Sequence, residues 1–152
     1  MAEHIYDVDV TWSGNNAEYR SYSRNHEVTA DKKPPIPGSA DPIIGRGDVT
    51  RWNPEQLLVA SLAQCHMLWY LHMCVEAGVV VTDYRDHATG IMNNQKFLLV
   101  VLRPEVTVTD ASMRAAAKQA HAEAAKRCFI ANSMNFPVEH EPTIVVAQQD
   151  PS

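Results

Sequence analysis

The chain has 152 residues, enough for one domain with a real core, and its 13 basic against 18 acidic residues leave a net charge of −5. A nucleic-acid surface needs a basic face, and this composition does not supply one. The opening residues Met1-Ala2-Glu3-His4-Ile5-Tyr6-Asp7 lack the basic and apolar stretches of a secretory leader. Three cysteines in such a chain point to free, catalytic or metal-bound thiols in a reducing compartment, so a cytoplasmic protein is expected.

In chain order, residues 4–12 alternate as a strand, Ser13-Gly14-Asn15-Asn16 read as a turn, and residues 18–28 as a second strand, giving a hairpin. Residues 31–50 are expected to be loop, because Pro34, Pro35, Pro37 and Pro42 with Gly38, Gly45 and Gly47 oppose regular pairing. A helix follows with clear ends: Asn53 at the N-cap, Pro54 at the first helical position, Gln56 in the capping-box place, and Gly78 at the stop. Residues 79–90 suggest a strand, and 96–109 are rich in β-formers such as Phe97, Val100 and Val101. Asp110 is placed to cap a second helix that runs to about residue 129, and 137–147 close as a strand. Strands and helices in this order give an α+β chain, read as a single domain over 1–152, and not a doubly wound sheet.

The first helix is apolar enough over residues 57–75 to raise the question of a membrane. Ser61, Gln64, His66 and His72 interrupt it on several faces, and no basic anchor flanks it. A helix apolar almost all round is then expected to be enclosed by protein, with no membrane partner.

Two of the cysteines stand in distinctive places. Cys65 lies inside this apolar helix, and Cys128 ends the second helical run before Phe129-Ile130-Ala131-Asn132-Ser133. Too distant in sequence for a Cys-x-x-Cys motif, they meet only if the two helices pack together. One thiol then attacks a peroxide oxygen, and the other closes a disulfide on the sulfenic acid. Cys74 is nine residues beyond Cys65, half a helical rotation and about 13 Å away, and reads as a core residue. An apolar mid-helix site opposes a thiolate at Cys65, and the helix dipole has faded there, so an arginine must be brought in. Cys128 sits where a helix C-terminus disfavours an anion, partly offset by Lys126 and Arg127. Cys65 is therefore the attacking thiol and Cys128 the resolving one.

Asn53-Pro54-Glu55-Gln56-Leu57-Leu58, then Ala60, Ser61 and Cys65, then Glu76-Ala77-Gly78 and the cysteine at 128, resemble the OsmC/Ohr family of osmotically inducible and organic hydroperoxide resistance proteins. The resemblance runs from Trp12-Ser13-Gly14 to the last strand. It implies an OsmC-like α+β fold, with antiparallel sheets around a long buried central helix and a second helix, in an intertwined homodimer. It also implies reduction of organic hydroperoxides, with Cys65 peroxidatic, Cys128 resolving and Glu55 paired to an arginine. The reductant would be an external dithiol, a lipoylated protein or another small thiol, and no metal or organic cofactor is required. In many members the second cysteine opens Cys-Pro-[Val/Ile]-Ser, whereas Cys128 here precedes Phe129-Ile130-Ala131, which alters its turn. The family arginine lies in the first hairpin, where this chain offers Arg20 first and Arg24 next, with Arg51 a third choice.

Spacing adds two expectations. Glu55 and Cys65 are ten residues apart, about 15 Å along one helix, so a glutamate serving that thiol must come from a second subunit. Otherwise Glu55 only complements the helix dipole. Met67, Trp69 and Phe129 are candidates to line an apolar mouth for the alkyl group of the substrate. His66 and His72, six residues apart, do not share a face as zinc ligands at i, i+4 do. A non-catalytic alternative keeps the same fold as a ligand-binding or redox-sensing stress protein.

Overall fold

In the computed structural model, which describes residues 2–148, the chain divides in the first turns of its long helix into two units, Met1–Leu57 and Leu58–Ser152. The first unit holds strands β1 (Asp9–Thr11), β2 (His26–Thr29) and β3 (Ile36–Gly38) in one antiparallel sheet ordered β1-β2-β3. Val28 is the central rung, opposite Val10 on one side and Ile36 on the other. The expected hairpin is present only at its far ends. Between β1 and β2 runs a long connection with a helical turn, in which the Ser21 and Tyr22 amides donate to the Glu18 carbonyl. The second strand accordingly begins at His26 and not near residue 18. The proline-rich stretch also departs from expectation, since Ile36-Pro37-Gly38 pairs with β2. β3 is an edge strand, where a proline has no ladder donor to lose.

Helix α1 (Pro54–Glu76) has the predicted ends. The Gln56 amide donates to Asn53 Oδ1 at 2.8 Å, and the Asn53 amide donates to Gln56 Oε1 at 3.3 Å, the reciprocal capping box. At the other end Gly78 takes φ +72°, the Val79 amide reaches back to the Cys74 carbonyl at 2.8 Å, and the Gly78 amide to that of Val75 at 3.2 Å. This is a Schellman stop, and it needs a residue free of Cβ strain at position 78.

The second unit carries two three-stranded sheets. One is β4 (Val81–Asp86), β7 (Pro104–Val108) and β9 (Thr143–Val146) in the order β4-β7-β9. The other is β5 (Thr89–Met92), β6 (Phe97–Leu102) and β8 (Val138–His140) in the order β5-β6-β8. The single strands expected at 79–90 and 137–147 are thus pairs of strands, each pair divided between the two sheets. A further correction concerns direction: β6 with β8 and β7 with β9 are parallel, so these sheets are mixed and not antiparallel. Parallel neighbours need a long crossover, which the helical segment between β7 and β8 supplies.

That segment opens with a 3-10 turn, Ala111–Met113, capped by Asp110, whose carboxylate accepts from the Ser112 amide at 2.8 Å. Helix α2 (Arg114–Arg127) follows, then Cys128, then the short α3 (Phe129–Asn132). Tyr70, Met73 and Cys74 of α1 pack with Ala117, Ala120 and Ala124 of α2 and with Val106 and Val108 of β7 in one core. Leu62 packs with Val100 and Leu102 in a second, flanked by Phe97, Ile130 and Phe136. By length and composition α1 passes for a membrane span; Leu62, His66, Tyr70, Met73 and Cys74 are buried within the protein, but the helix is not enclosed all round as expected. Leu68 and Val75 lie on its open side, 61% and 77% exposed.

Candidate active site

Cys65 comes from the middle of α1 and is half-buried, whereas Cys128 is the residue between α2 and α3 and is 2% exposed. The two thiols lie close enough for Cys65 to shift the titration of Cys128, and no disulfide joins them. Cys128 does end α2, as its sequence position suggests, but its extended backbone (φ −68°, ψ 108°) also makes it the N-cap of α3. Its sulfur accepts from the Ala131 amide at 3.5 Å. The absence of a proline after Cys128 thus leaves a capped turn, in which Phe129 takes the first helical position. Burial pushes the Cys128 thiol up to about 11, with the neighbouring Cys65 adding to the shift against the Ala131 amide. Cys128 is accordingly a protonated thiol at neutral pH, held against a more open one. Cys74 is buried in the α1–α2 core, and burial raises its pKa too.

Trp69 and Phe129 meet edge to face, with ring centroids 5.4 Å apart, and the Arg127 guanidinium lies 6.0 Å from the Trp69 ring. Phe129 is 68% exposed, so this is a surface pair on the rim beside Cys128. Met67 does not join it, because residues two apart on a helix point to different faces.

The carboxylate and the arginines belong to the first unit. One carboxylate oxygen of Glu55 is buried with no hydrogen-bond partner among the described residues. Arg51 is already engaged, donating to Glu27 at 2.7 Å and to the Gly38 and His26 carbonyls. Arg24 is held by the connection it sits in: it donates to the Tyr19 and Tyr22 carbonyls and lies 3.6 Å from the Tyr22 ring centroid. Arg20 is exposed and makes no side-chain hydrogen bond or ion pair among the described residues.

A group that sequence spacing did not bring together is a buried set of three histidines. His66 of α1, 1% exposed, shares a hydrogen bond with His121 of α2, 3% exposed, at 3.0 Å between Nε2 and Nδ1. His140 of β8 tilts over His66 at 4.5 Å between centroids, and the Tyr70 ring stacks on His121 at 3.9 Å. The outer nitrogens, His66 Nδ1 and His121 Nε2, have no partner among the described residues. Burial first, then His140 and His121, pushes His66 down to about 3, while burial and His140 push His121 down to about 4. The cluster is neutral at physiological pH. Among the described residues no three His, Cys, Asp or Glu side chains are arranged to hold an ion. The available signal was His121 in the alanine stripe 117, 120, 124, where a polar residue facing a helix demands a partner.

Residues 45–143 match the family described as OsmC-like protein. An OsmC-like protein of unknown function from Vibrio cholerae is 32% identical, with a TM-score of 0.81 over 93% of this chain and 99% of that one. The uncharacterized protein YmaD of Bacillus subtilis is 26% identical over 146 residues, 91% of this chain and 92% of the relative. An organic hydroperoxide resistance protein from Legionella pneumophila, 19% identical, shares the fold with a TM-score of 0.63 over 95% of this chain and 100% of that one.

Proposed function

The chain belongs to the OsmC-like family, and from that premise we propose that it is a thiol peroxidase that reduces organic hydroperoxides to alcohols. The observation that carries this is the closeness of a half-open Cys65 on α1 to a buried, protonated Cys128 at the end of α2. In the reaction the Cys65 thiolate attacks the distal peroxide oxygen, the O–O bond breaks, and the alkoxide leaves as alcohol after taking a proton. Cys65 is then a sulfenic acid. Cys128 displaces its hydroxyl as water and forms the Cys65–Cys128 disulfide, which an external dithiol returns to two thiols. Hydroperoxide resistance is the named role of a fold relative, and the Trp69–Phe129 rim suits an alkyl group.

The partnerless oxygen of Glu55 supports the remaining part of the site. A buried carboxylate oxygen left unpaired is unfavourable, so it is suited to a guanidinium brought to it. With ten residues of helix between Glu55 and Cys65, that pair serves a thiol only if the site is completed by a second copy of the chain. The open Leu68 and Val75 on α1 give such a copy apolar surface to cover. Of the three arginines that the sequence offered, Arg20 suits this role best, because Arg24 and Arg51 already hold other partners. The protein in this account is a soluble cytoplasmic homodimer.

With dihydrolipoamide present, the reduced protein should consume cumene hydroperoxide over many turnovers. A folded protein that leaves the peroxide untouched would instead favour the ligand-binding or sensing alternative.

A further inference from the structure

The surface that α2 turns to α1 is made mostly of small apolar side chains: Ala117, Ala120 and Ala124 pack against Tyr70, Met73 and Cys74. Such a surface is not directional, and alanines alone would tolerate one helix sliding on the other. Two hydrogen bonds between these helices are directional. The Tyr70 hydroxyl donates to the Ala117 carbonyl at 2.9 Å, and His66 bonds His121 at 3.0 Å. The histidine pair stands beside the thiols in both chain segments. His66 follows Cys65 directly, and His121 stands seven residues, about two turns, before Cys128 at the end of α2.

A disulfide demands Cβ atoms within about 4.5 Å, and a shift of one residue along a helix is about 1.5 Å, enough to spoil that geometry. We propose that the His66–His121 hydrogen bond is a positioning pair that fixes the register of α1 on α2 and so holds Cys128 against Cys65 for disulfide closure. The inference rests on the peroxidase reading for its purpose, but the closure it describes is measurable without any peroxide.

The geometry of the pair explains why it suits the task. An imidazole–imidazole bond needs one N–H and one bare nitrogen, which two neutral rings supply in a site that excludes water. Tyr70 stacks on His121 and His140 covers His66, which leaves the two rings little room to turn. Neither histidine needs to touch the peroxide.

The test compares wild type, His121→Phe and His121→Asn in glutathione redox buffers. In these, oxidised glutathione takes two electrons from Cys65 and Cys128, forming their disulfide and two molecules of reduced glutathione. Phenylalanine keeps the stacking on Tyr70 and loses the hydrogen bond; asparagine restores a polar atom near the Nδ1 position. The expected result is a drop of about tenfold in the effective concentration of the two thiols for His121→Phe, the size of a lost buried hydrogen bond. His121→Asn should recover most of it. The rate at which iodoacetamide alkylates Cys65 should stay within about twofold across the set, because register and not thiol reactivity is altered. If His121→Phe does not fold, His66→Leu and His66→Gln replace the pair of variants, with glutamine as the rescue. An unchanged thiol–disulfide equilibrium in a folded variant lacking the bond would overturn the inference, as would a wild type that forms no Cys65–Cys128 disulfide. A wild type that closes the disulfide readily yet ignores hydroperoxide would sink the peroxidase reading and leave the positioning role standing.

Discussion

Cys65 and Cys128 differ in what surrounds them, and in the proposed reaction that difference sets their order of action. Cys65 is half-open, while Cys128 is buried with its thiol pushed up to about 11. Replacing Cys65 with serine should abolish peroxide consumption, whereas Cys128→Ser should react once and leave a sulfenic acid that dimedone traps, read by mass spectrometry. Because closure by Cys128 draws on its thiolate, the rate of disulfide formation after a single peroxide pulse should climb with pH from 7 towards 10. A rate that falls over that range would argue against Cys128 as the resolving residue. Cys74→Ser should leave peroxide turnover intact, since Cys74 lies in the α1–α2 core, and should lower thermal stability slightly. The settings of the two thiols were legible in the sequence, because an apolar helix and a helix end are decided by nearby residues. What holds Arg20, Arg24 and Arg51 was not legible, because it depends on carbonyls, rings and carboxylates brought near them by the fold.

At the scale of elements, the ends of α1 could be read directly, since capping is local chemistry that a few adjacent residues decide. Asn53→Ala should lower stability by about 1 kcal/mol in chemical denaturation. Gly78→Ala should cost about 1 kcal/mol from the left-handed φ of +72° alone, because a Cβ there meets no atom within 4 Å. The strands were less legible. Pro37 within a short edge strand, and the division of 79–90 and 137–147 between two sheets, depend on partners distant in sequence. The histidine cluster needed three elements, α1, α2 and β8, to be brought together. It predicts an acid limit. The groups facing one another are His66, Tyr70, His121 and His140, and burial and neighbouring imidazoles hold the histidines below their ordinary pKa. Their contribution to stability is whole above the unfolded value near 6.5. It is lost as pH falls from there towards 3 to 4, where the folded rings protonate, at up to about 1.4 kcal/mol per pH unit for each proton taken up. Chemical denaturation from pH 7 to 4 should show this slope, and a His121→Asn variant should show it reduced.

For the whole molecule, the account requires two copies of the chain, because one α1 cannot bring its own Glu55 to its own Cys65. Mixing Glu55→Ala with Cys65→Ser protein, each inactive alone, should restore part of the activity once subunits exchange. Confirmed heterodimers without recovery would mean that the glutamate does not act across subunits. Family membership gives the fold, while the chemistry depends on two thiols and their fate. The most direct measurement adds one equivalent of cumene hydroperoxide to the reduced protein and follows thiol content, product and peptide map together. The account predicts one equivalent of cumyl alcohol, the loss of two thiols per chain and a crosslink joining the Cys65 and Cys128 peptides, with Cys74 untouched. Intact peroxide with all thiols still titratable, or a disulfide that includes Cys74, would contradict it.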